Sequence, residues 1–465
     1  MKSKLTLLLL LLNILYSISS AQNSGTWITI DSLIEARVGH SSVLLPNGNV
    51  LVGGGVGDTS ILSSCEIYDI TIGKWRYTTP TNSPLHLQKL LLLKTSKVIA
   101  IGGYRKKSCE LYDPSTETWT LTDSLKTLKS GGESITTLKD GRILVSGGYR
   151  YPTDIHDKYT VFDSCEIYDP VTGKWTTAAS MNMPREQHNS VLLEDGTVLV
   201  AGGNSPNHTR TCEIYNPTND TWVFTDSLNE ARASSASILL PNGNVFISGG
   251  GSNEKSCELY DVTEKKWSYV GDMNYGRKEH QIYYLEKTDQ LLIMGGNNRH
   301  NGYDDWELYN PNNFKTIEYG IFPMRKIFSR DNTIKLNDGR ILITGGMEYE
   351  SDGMPYLWIS KSCQILDYLT TVKTTTIPNS FTLLQNYPNP FNPTTKIKYF
   401  LVKSGHIKII VYDALGRVVQ SLINNYQNTG GYELQFNAKE LPSGIYFYRL
   451  IFDGHSDTKK MLLIK

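Results

Sequence analysis

Residues 185–222 read REQHNSVLLEDGTVLVAGGNSPNHTRTCEIYNPTNDTW, and nearly the whole chain consists of copies of this unit. Two short apolar runs flank Asp195-Gly196, which predicts a β-hairpin. Gly202-Gly203 end the second strand, at a point where the backbone needs a positive φ or a close neighbour. Residues 212–215 and 221–224 predict a third and a fourth strand. Four short antiparallel strands cannot bury both faces alone, but units stacked around a ring can.

The repeat is marked by a double glycine that recurs seven times, at intervals of 45 to 55 residues. A tryptophan follows most copies. The glycines are Gly54, Gly55, Gly102, Gly103, Gly147, Gly148, Gly202, Gly203, Gly249, Gly250, Gly295, Gly296, Gly345 and Gly346. The tryptophans are Trp27, Trp75, Trp119, Trp175, Trp222 and Trp267. Seven copies of a four-stranded unit predict an all-β fold, a propeller of seven blades.

The double glycine, the later tyrosine and the tryptophan about seven residues after it resemble the kelch repeat. The resemblance covers roughly residues 24–370 and is similar to the central propeller of the galactose oxidase family. It implies a seven-bladed kelch-type propeller over residues 22–370. The seventh copy has no tryptophan of its own, and in the sixth copy Phe314 stands roughly where the tryptophan belongs. We therefore predict that Trp27, at the other end of the domain, completes the last blade, so that the ring has no free sheet edge at its seam.

The composition excludes some classes of partner. The chain has 465 residues with 46 basic and 46 acidic side chains, which argues against nucleic acid or an anionic membrane as the main partner. Residues 1–21 combine Lys2 and Lys4 with a short apolar core and small residues before Gln22, which is typical of a secretory signal peptide. No other stretch is apolar enough to span a bilayer. We expect an exported chain, monomeric and without a membrane span.

Six cysteines occupy one position of the repeat, at the start of the third strand: Cys65, Cys109, Cys165, Cys212, Cys257 and Cys363. An even number in an exported protein usually indicates disulfides. Equivalent positions on neighbouring blades, however, lie about 10 Å apart or more, whereas a disulfide needs Cα atoms within about 7 Å. The repeat therefore predicts six free thiols packed between blades, and no metal bound by them.

Two rings of residues at the start of the first strands are the candidate ligand site. The inner ring is His40, Gln88, Glu133, His188, Ser235, His280 and Asp331. Three positions earlier stand Arg37, Leu85, Ser130, Arg185, Arg232, Arg277 and Phe328. If the first strand is innermost, these residues line one mouth of the central channel, and the arginines and histidines would bind an anionic or hydroxylated ligand. The alternative is that they make hydrogen bonds between blades and to channel water.

The resemblance to galactose oxidase raises the question of copper chemistry. That family uses two histidines, two tyrosines and a cysteine crosslinked to tyrosine, but here the repeat takes every cysteine and no Tyr-His pair occurs. A site built from His40, His188 and His280 would need side chains from non-adjacent blades to converge. We expect no cofactor and no metal. The leading hypothesis is a module that binds a glycan or a protein; the alternative is a carbohydrate-active enzyme that uses the arginines and histidines.

Three insertions lengthen loops of the repeat, at residues 150–163, 297–305 and 348–361, and two of them contain or adjoin several aromatic residues. Tyr149, Tyr151 and Tyr159 surround the first insertion, and Tyr349, Tyr356 and Trp358 belong to the last. Exposed aromatic side chains on propeller loops stack on sugar rings or grip peptides, although ordinary loop packing explains them equally well.

Residues 371–465 differ from the repeat. Residues 371–383 have no apolar period and predict a linker. Residues 384–465 predict about seven strands and a small immunoglobulin-like sandwich. The motifs NYPNPFNP (386–393), VYDALGRVV (411–419), LPSGIYFYRL (441–450) and KKMLLIK (459–465) resemble the C-terminal sorting domain of the type IX secretion system. The resemblance implies Sec export, recognition of residues 384–465 by that machinery, and a secreted or cell-surface protein.

Overall fold

The computed structural model describes residues 26–152, 157–205, 207–250, 255–296, 305–321, 326–327, 332–349, 357–367, 381–383, 386, 389–401, 404–427, 430–452 and 455–464. These residues form 39 β-strands and no α-helix. Within them, no helix has the length and apolar character needed to cross a membrane. The chain divides into two compact units, residues 1–370 and 371–465.

The first unit is a seven-bladed β-propeller of antiparallel sheets. The described chain opens with β1 (Thr26–Thr29). Blade 1 comprises β2 (Ser41–Leu44), β3 (Val50–Gly53), β4 (Cys65–Asp69) and β5 (Lys74–Thr78). Blade 2 comprises β6 (Lys89–Leu92), β7 (Val98–Ile101), β8 (Cys109–Asp113) and β9 (Thr118–Leu121). Blade 3 comprises β10 (Gly131–Thr137), β11 (Ile143–Arg150), the short β12 (Thr160–Val161), β13 (Cys165–Asp169) and β14 (Lys174–Ala178).

The next three blades repeat the order of blade 1. Blade 4 comprises β15 (Asn189–Leu192), β16 (Val198–Ala201), β17 (Cys212–Asn216) and β18 (Thr221–Thr225). Blade 5 comprises β19 (Ala236–Leu239), β20 (Val245–Ser248), β21 (Ser256–Asp261) and β22 (Lys266–Asp272). Blade 6 comprises β23 (Gln281–Leu285), β24 (Gln290–Met294), β25 (Asp305–Tyr309) and β26 (Thr316–Ile321).

Blade 7 takes its strands from both ends of the unit. Its order is β28 (Thr333–Lys335), β29 (Ile341–Thr344), β32 (Cys363–Asp367) and β1. Trp27 of β1 stands opposite Leu366 of β32 in this antiparallel pairing. The outer strand therefore comes from the segment of Trp27, where the repeat predicts it. A separate small sheet contains β27 (Lys326–Ile327), β30 (Met347–Tyr349) and β31 (Leu357–Ile359).

The core of the propeller consists of seven apolar clusters, each between two neighbouring blades, including blades 7 and 1. Between blades 1 and 2, Cys65 packs with Tyr112 and Trp119 of the next blade. The same arrangement recurs around the ring, since each cysteine fills the space beside its neighbour's aromatic pair. All six cysteines are free and buried, which confirms the prediction made from their shared position.

The contact between blades 6 and 7 exchanges large and small residues. Trp306 occupies the cysteine position of blade 6, and Leu366 occupies the tyrosine position of blade 7; both lie in one cluster, with Trp27 packed against it. The smaller Leu366 at the tyrosine position is thus compensated by the larger Trp306 at the cysteine position, which keeps the contact close-packed. Phe314, the expected substitute for the tryptophan of blade 6, stacks on Phe246 with ring centroids 5.6 Å apart.

The second unit contains two sheets, one of order β33-β34-β37 and one of order β36-β35-β38-β39. The strands are β33 (Phe381–Leu383), β34 (Thr394–Leu401), β35 (Gly405–Asp413), β36 (Val418–Gln427), β37 (Gly430–Asn437), β38 (Gly444–Phe452) and β39 (His455–Leu463). One apolar cluster joins both sheets and includes Leu383. The predicted linker of residues 371–383 is therefore too long by three residues, since 381–383 pair with β34.

Candidate functional site

The four ring arginines are structural members of the blades and have no exposed side-chain surface. In blade 4, Arg185 donates from Nη1 to the carbonyls of Gly202 at 2.7 Å and Thr211 at 3.0 Å, and from Nη2 to Glu213 at 2.6 Å. Arg37, Arg232 and Arg277 make the equivalent ion pairs with Glu66, Glu258 and Glu307 at 2.8, 2.6 and 2.6 Å. Each guanidinium ties the double-glycine loop to the third strand of its own blade.

Blade 3 lacks the arginine and uses a lysine in its place, and blade 7 lacks the glutamate partner. In blade 3, Lys129 is buried and donates to the carbonyls of Gly147 and Ser164, the positions that arginine contacts elsewhere. Burial lowers the pKa of Lys129, while the nearby carboxylates of Glu133 and Glu166 raise it. Lys129 lies one residue before Ser130, which occupies the arginine position of blade 3. Counting positions along the repeat therefore did not identify it. In blade 7 the third strand carries neutral Gln364 in place of the glutamate.

The three ring histidines join neighbouring blades. Nε2 of His188 lies 2.9 Å from the hydroxyl of Ser146, just before the double glycine in the second strand of blade 3. The equivalent contacts join His280 to Ser248 at 2.8 Å and His40 to Thr344 at 2.9 Å. All three histidines are buried. Each contact thus holds the inner strand of one blade against the blade before it.

The expected ligand-facing ring of Arg37, His40, Arg185, His188, Arg232, Arg277 and His280 is therefore corrected: all seven side chains are at least 97% buried. The physical reason is that these side chains satisfy backbone carbonyls and hydroxyls within and between blades. Gln88 donates to the carbonyl of Gly53, and Ser235 accepts from Asn189 at 2.6 Å. Glu133 is half-buried. Phe328 and Asp331 lie outside the described residues.

A belt of backbone hydrogen bonds connects neighbouring blades, and its residues lie between the arginine and histidine positions of the repeat. In blades 1 to 6, the residue before each position of the inner ring has a positive φ of 53° to 72°. These residues are Gly39, Leu87, Gly132, Gln187, Ser234 and Glu279. Amide groups of this belt donate to the preceding blade in four places: Leu87 to Gly39 at 3.1 Å, Gln187 to Gly132 at 2.7 Å, Ser234 to Gln187 at 2.9 Å, and Glu279 to Ser234 at 2.7 Å. The belt thus connects neighbouring blades at the end of the propeller that carries the longer loops.

The insertion of blade 3 forms a cluster of three tyrosines at this end of the ring. The ring of Tyr149 stacks on Tyr159 at 5.5 Å and meets Tyr151 nearly edge-on at 5.1 Å. Tyr151 and Tyr159 are 43% and 46% exposed. Tyr159 donates to Glu186 of blade 4 at 2.6 Å, and burial together with this hydrogen bond raises the pKa of the Tyr159 hydroxyl. We call these three residues the tyrosine cluster.

The short loop of blade 2 lies beside the tyrosine cluster. Arg105 donates to the carbonyl of Pro152 in the insertion at 2.8 Å, and its guanidinium stands 5.4 Å from the ring of Tyr104. His86 lies 6.3 Å from Tyr104, and burial lowers the pKa of this imidazole. Exposed aromatic and hydrogen-bonding groups from blades 2, 3 and 4 thus meet on one surface. Of the other insertions, residues 297–304 and 350–356, with Tyr356, lie outside the described residues, and Trp358 is exposed.

The comparison with known families agrees with this architecture. Residues 11–256 match the family described as the Attractin/LZTR1 β-propeller, and the chain belongs to that family. Residues 385–465 match the secretion system C-terminal sorting domain, which indicates export to the cell surface or the extracellular space.

Individual proteins are similar over part of the chain. The kelch-like protein terF of Aspergillus terreus is 23% identical over 197 residues, 38% of this chain and 42% of that protein. Beta-scruin of Limulus polyphemus is 24% identical over 202 residues, 39% of this chain and 21% of its own length. The matches therefore span less than half of these relatives. A fungal alcohol oxidase of the AA5 family, in complex with copper, superposes with a TM-score of 0.59 at 14% identity, covering 95% of this chain and all of that one, which shows likeness of fold.

The cysteines and ring histidines that the structure describes do not fit a copper centre like that of the alcohol oxidase. All six cysteines are buried between blades, each packed beside the aromatic residues of the next blade. His40, His188 and His280 each direct Nε2 at a hydroxyl of the preceding blade. Among the described residues, histidine, cysteine and carboxylate side chains form no group of three that could hold a metal ion.

Proposed function

We propose that this chain is an exported binding protein whose propeller recognises a glycan or a protein through the longer loops at one end of the ring. The supporting observation is that the arginines and histidines of the two rings are buried, whereas polar residues of the adjoining loops are exposed. The ring arginines and histidines are buried in contacts that hold the blades. Tyr104, Arg105, Tyr151 and Tyr159, in contrast, are exposed on adjoining loops.

The location of these loops supports the proposal. The loops of blades 2 and 3 both follow the second strand of their blade, and the hydrogen bond from Arg105 to Pro152 joins them. Loops on a rigid scaffold are where propellers and other β-folds place their binding residues. The match to a sorting domain, which indicates export, supports a ligand at the cell surface or outside the cell.

The experiment replaces residues 149–164 with a short Gly-Ser loop of about the length that blade 2 uses, and measures binding of the full chain to a glycan array and a displayed peptide library. We expect the parent chain to bind in at least one of the two formats, and the loop variant to lose more than about tenfold in affinity. A control variant carries Gly-Ser at residues 170–173, a turn at the opposite end of blade 3.

Two results would count against the proposal. A folded parent chain that binds nothing in either format removes the binding function. A loop variant that binds as well as the parent places recognition elsewhere on the molecule. Circular dichroism of both variants establishes that each is folded.

A further inference from the structure

We propose that the tyrosine cluster is a subsite for one neutral pyranose ring of a glycan, an inference that rests on the proposed function. Tyr151 and Tyr159 present exposed ring surface for the C–H face of a sugar. Tyr149 lies behind both of them. Aromatic side chains that offer one apolar face beside polar groups are suited to such a ligand, since a pyranose also combines an apolar face with hydroxyls.

The cluster is held in place before any ligand binds. The backbone of Tyr149 pairs with Gly131 on one side and Val161 on the other. A Cβ at Gly132 would lie 2.8 Å from Cδ1 of Tyr149, so this glycine lets the backbone pass close to the ring. The amide of Tyr151 donates to the hydroxyl of Ser130 at 3.2 Å. A preorganised surface loses less conformational entropy on binding.

Polar groups beside the rings suit sugar hydroxyls. Glu186 accepts from Tyr159 at 2.6 Å and from the amide of Asn204 at 3.4 Å. The same amide donates to Oε1 of Gln187 at 3.0 Å, and Gln187 is exposed. Carboxylate and amide groups both accept hydrogen bonds, and amides also donate, which matches vicinal hydroxyls.

The carboxylate of Glu186 behind the cluster favours a neutral sugar on the rings. Glu186 is buried behind Tyr159 and forms no ion pair among the described residues, whereas Arg150 is paired with Asp157 at 2.8 Å. An anionic sugar placed on the rings would meet the carboxylate of Glu186 at short range. Like charges in a partly desolvated site repel, and the cluster should therefore discriminate against uronic acids.

Isothermal titration of the full chain tests the proposal. The probes are tetrasaccharides of glucose, galactose, mannose and N-acetylglucosamine, with tetragalacturonate as the acidic comparison. We expect at least one neutral probe to bind and the acidic one to bind at least about tenfold more weakly. Y151A and Y159A should each weaken binding about tenfold or more, in line with stacking losses measured for aromatic side chains. Y159F, which keeps the ring, should weaken it less.

The control is Y77A, which removes a tyrosine of similar exposure on the outer strand of blade 1 and should leave the affinity unchanged. The subsite is overturned if Y151A and Y159A bind as the parent does, if tetragalacturonate is preferred, or if no neutral probe binds. One outcome separates failure of the sugar subsite from failure of the proposed function. If replacing residues 149–164 abolishes binding while Y151A and Y159A do not, the loop surface remains and only the sugar subsite is lost.

Discussion

At the scale of single residues, the buried arginine–glutamate pairs are the contacts whose loss costs most. Arg185 and Glu213 have no exposed side-chain surface, and the second carboxylate oxygen of Glu213 accepts from the backbone and side chain of Asn182. Removing one partner leaves the other as an uncompensated charge in the interior, which costs about 3 to 5 kcal/mol. The pairs also anchor the double-glycine loops, because Nη1 of Arg185 donates a hydrogen bond to the carbonyl of Gly202.

We therefore predict that R185M lowers the free energy of unfolding by about 3 to 5 kcal/mol. The matched control is R142M, because Arg142 pairs with Asp140 on the surface at 2.7 Å, and exposed pairs contribute about 1 kcal/mol or less. Urea denaturation followed by tryptophan fluorescence measures both variants. Equal losses in the two would mean that the buried pair is no more important than a surface one.

The cysteine thiols predict a loss of stability at high pH. Burial raises the pKa of Cys65, Cys165 and Cys212 to about 12 and that of Cys109 to about 11, from an ordinary 9.0. Above pH 9 the unfolded chain releases these protons while the folded chain keeps them. The unfolding free energy should therefore fall with pH in this range, by up to about 1.4 kcal/mol per pH unit for each thiol.

The measurement compares the parent with C165A between pH 8 and pH 10.5. Because tyrosines also titrate in this range, the test is the difference in slope between the two proteins, which should be shallower in C165A. An equal decline of the unfolding free energy in both proteins would show that the pKa of this thiol does not differ between the folded and unfolded states. Below pH 9 the thiol is protonated in both states and should contribute no pH dependence.

At the scale of strands and blades, much could be predicted from the sequence because the repeat constrains it. The role of the ring histidines could also be predicted: a histidine occurs where the residue of the second strand just before the preceding blade's double glycine carries a hydroxyl, at Ser146, Ser248 and Thr344. Blade 1 ends that strand in Gly53 and is followed by Gln88. This correlation between neighbouring copies favours contacts between blades over a ligand site.

The tyrosine cluster could not be predicted with the same certainty, because an insertion has no second copy with which to compare it. Its aromatic content was visible, but the partner Glu186 lies in the next blade, and the pairing of β11 with β12 determines how the rings meet. Lys129 shows a related limit. It performs the task of the ring arginine from a neighbouring position, since a glycine pair at 131–132 alters the path of the backbone there.

Blade closure gives a prediction for a whole strand. Deleting residues 22–30 removes β1, the only strand that the structure pairs with the outer side of β32 in the described chain, together with Trp27. Loss of a fully buried tryptophan costs about 3 to 5 kcal/mol, and the partly buried Trp27 should contribute part of that amount. The truncated chain should melt at a clearly lower temperature than a control that begins at residue 24 and keeps β1. Identical melting of the two would show that β1 is dispensable to the ring.

At the scale of the whole molecule, the two units have separate apolar cores. The clusters of the propeller contain only residues of the first unit, and the cluster of the second unit contains only residues from Leu383 onward. Because β33 belongs to the sheets of the second unit, a cut that respects both cores falls within residues 371–380. Each core should then remain complete after the chain is divided.

We predict that deleting residues 376–465 leaves a folded propeller that the cell no longer delivers to its surface or the medium. The first part of the prediction follows from the closure of the ring by β1, which needs nothing from the second unit. The second part follows from the match of residues 385–465 to a sorting domain. Fractionation of the producing cells locates the truncated chain, and thermal unfolding of the same material measures its cooperativity. Truncated protein found outside the cell in parental amounts would show that the second unit is not the export signal. Aggregated protein would show that the propeller depends on the second unit, and the division between the two cores would then be misplaced.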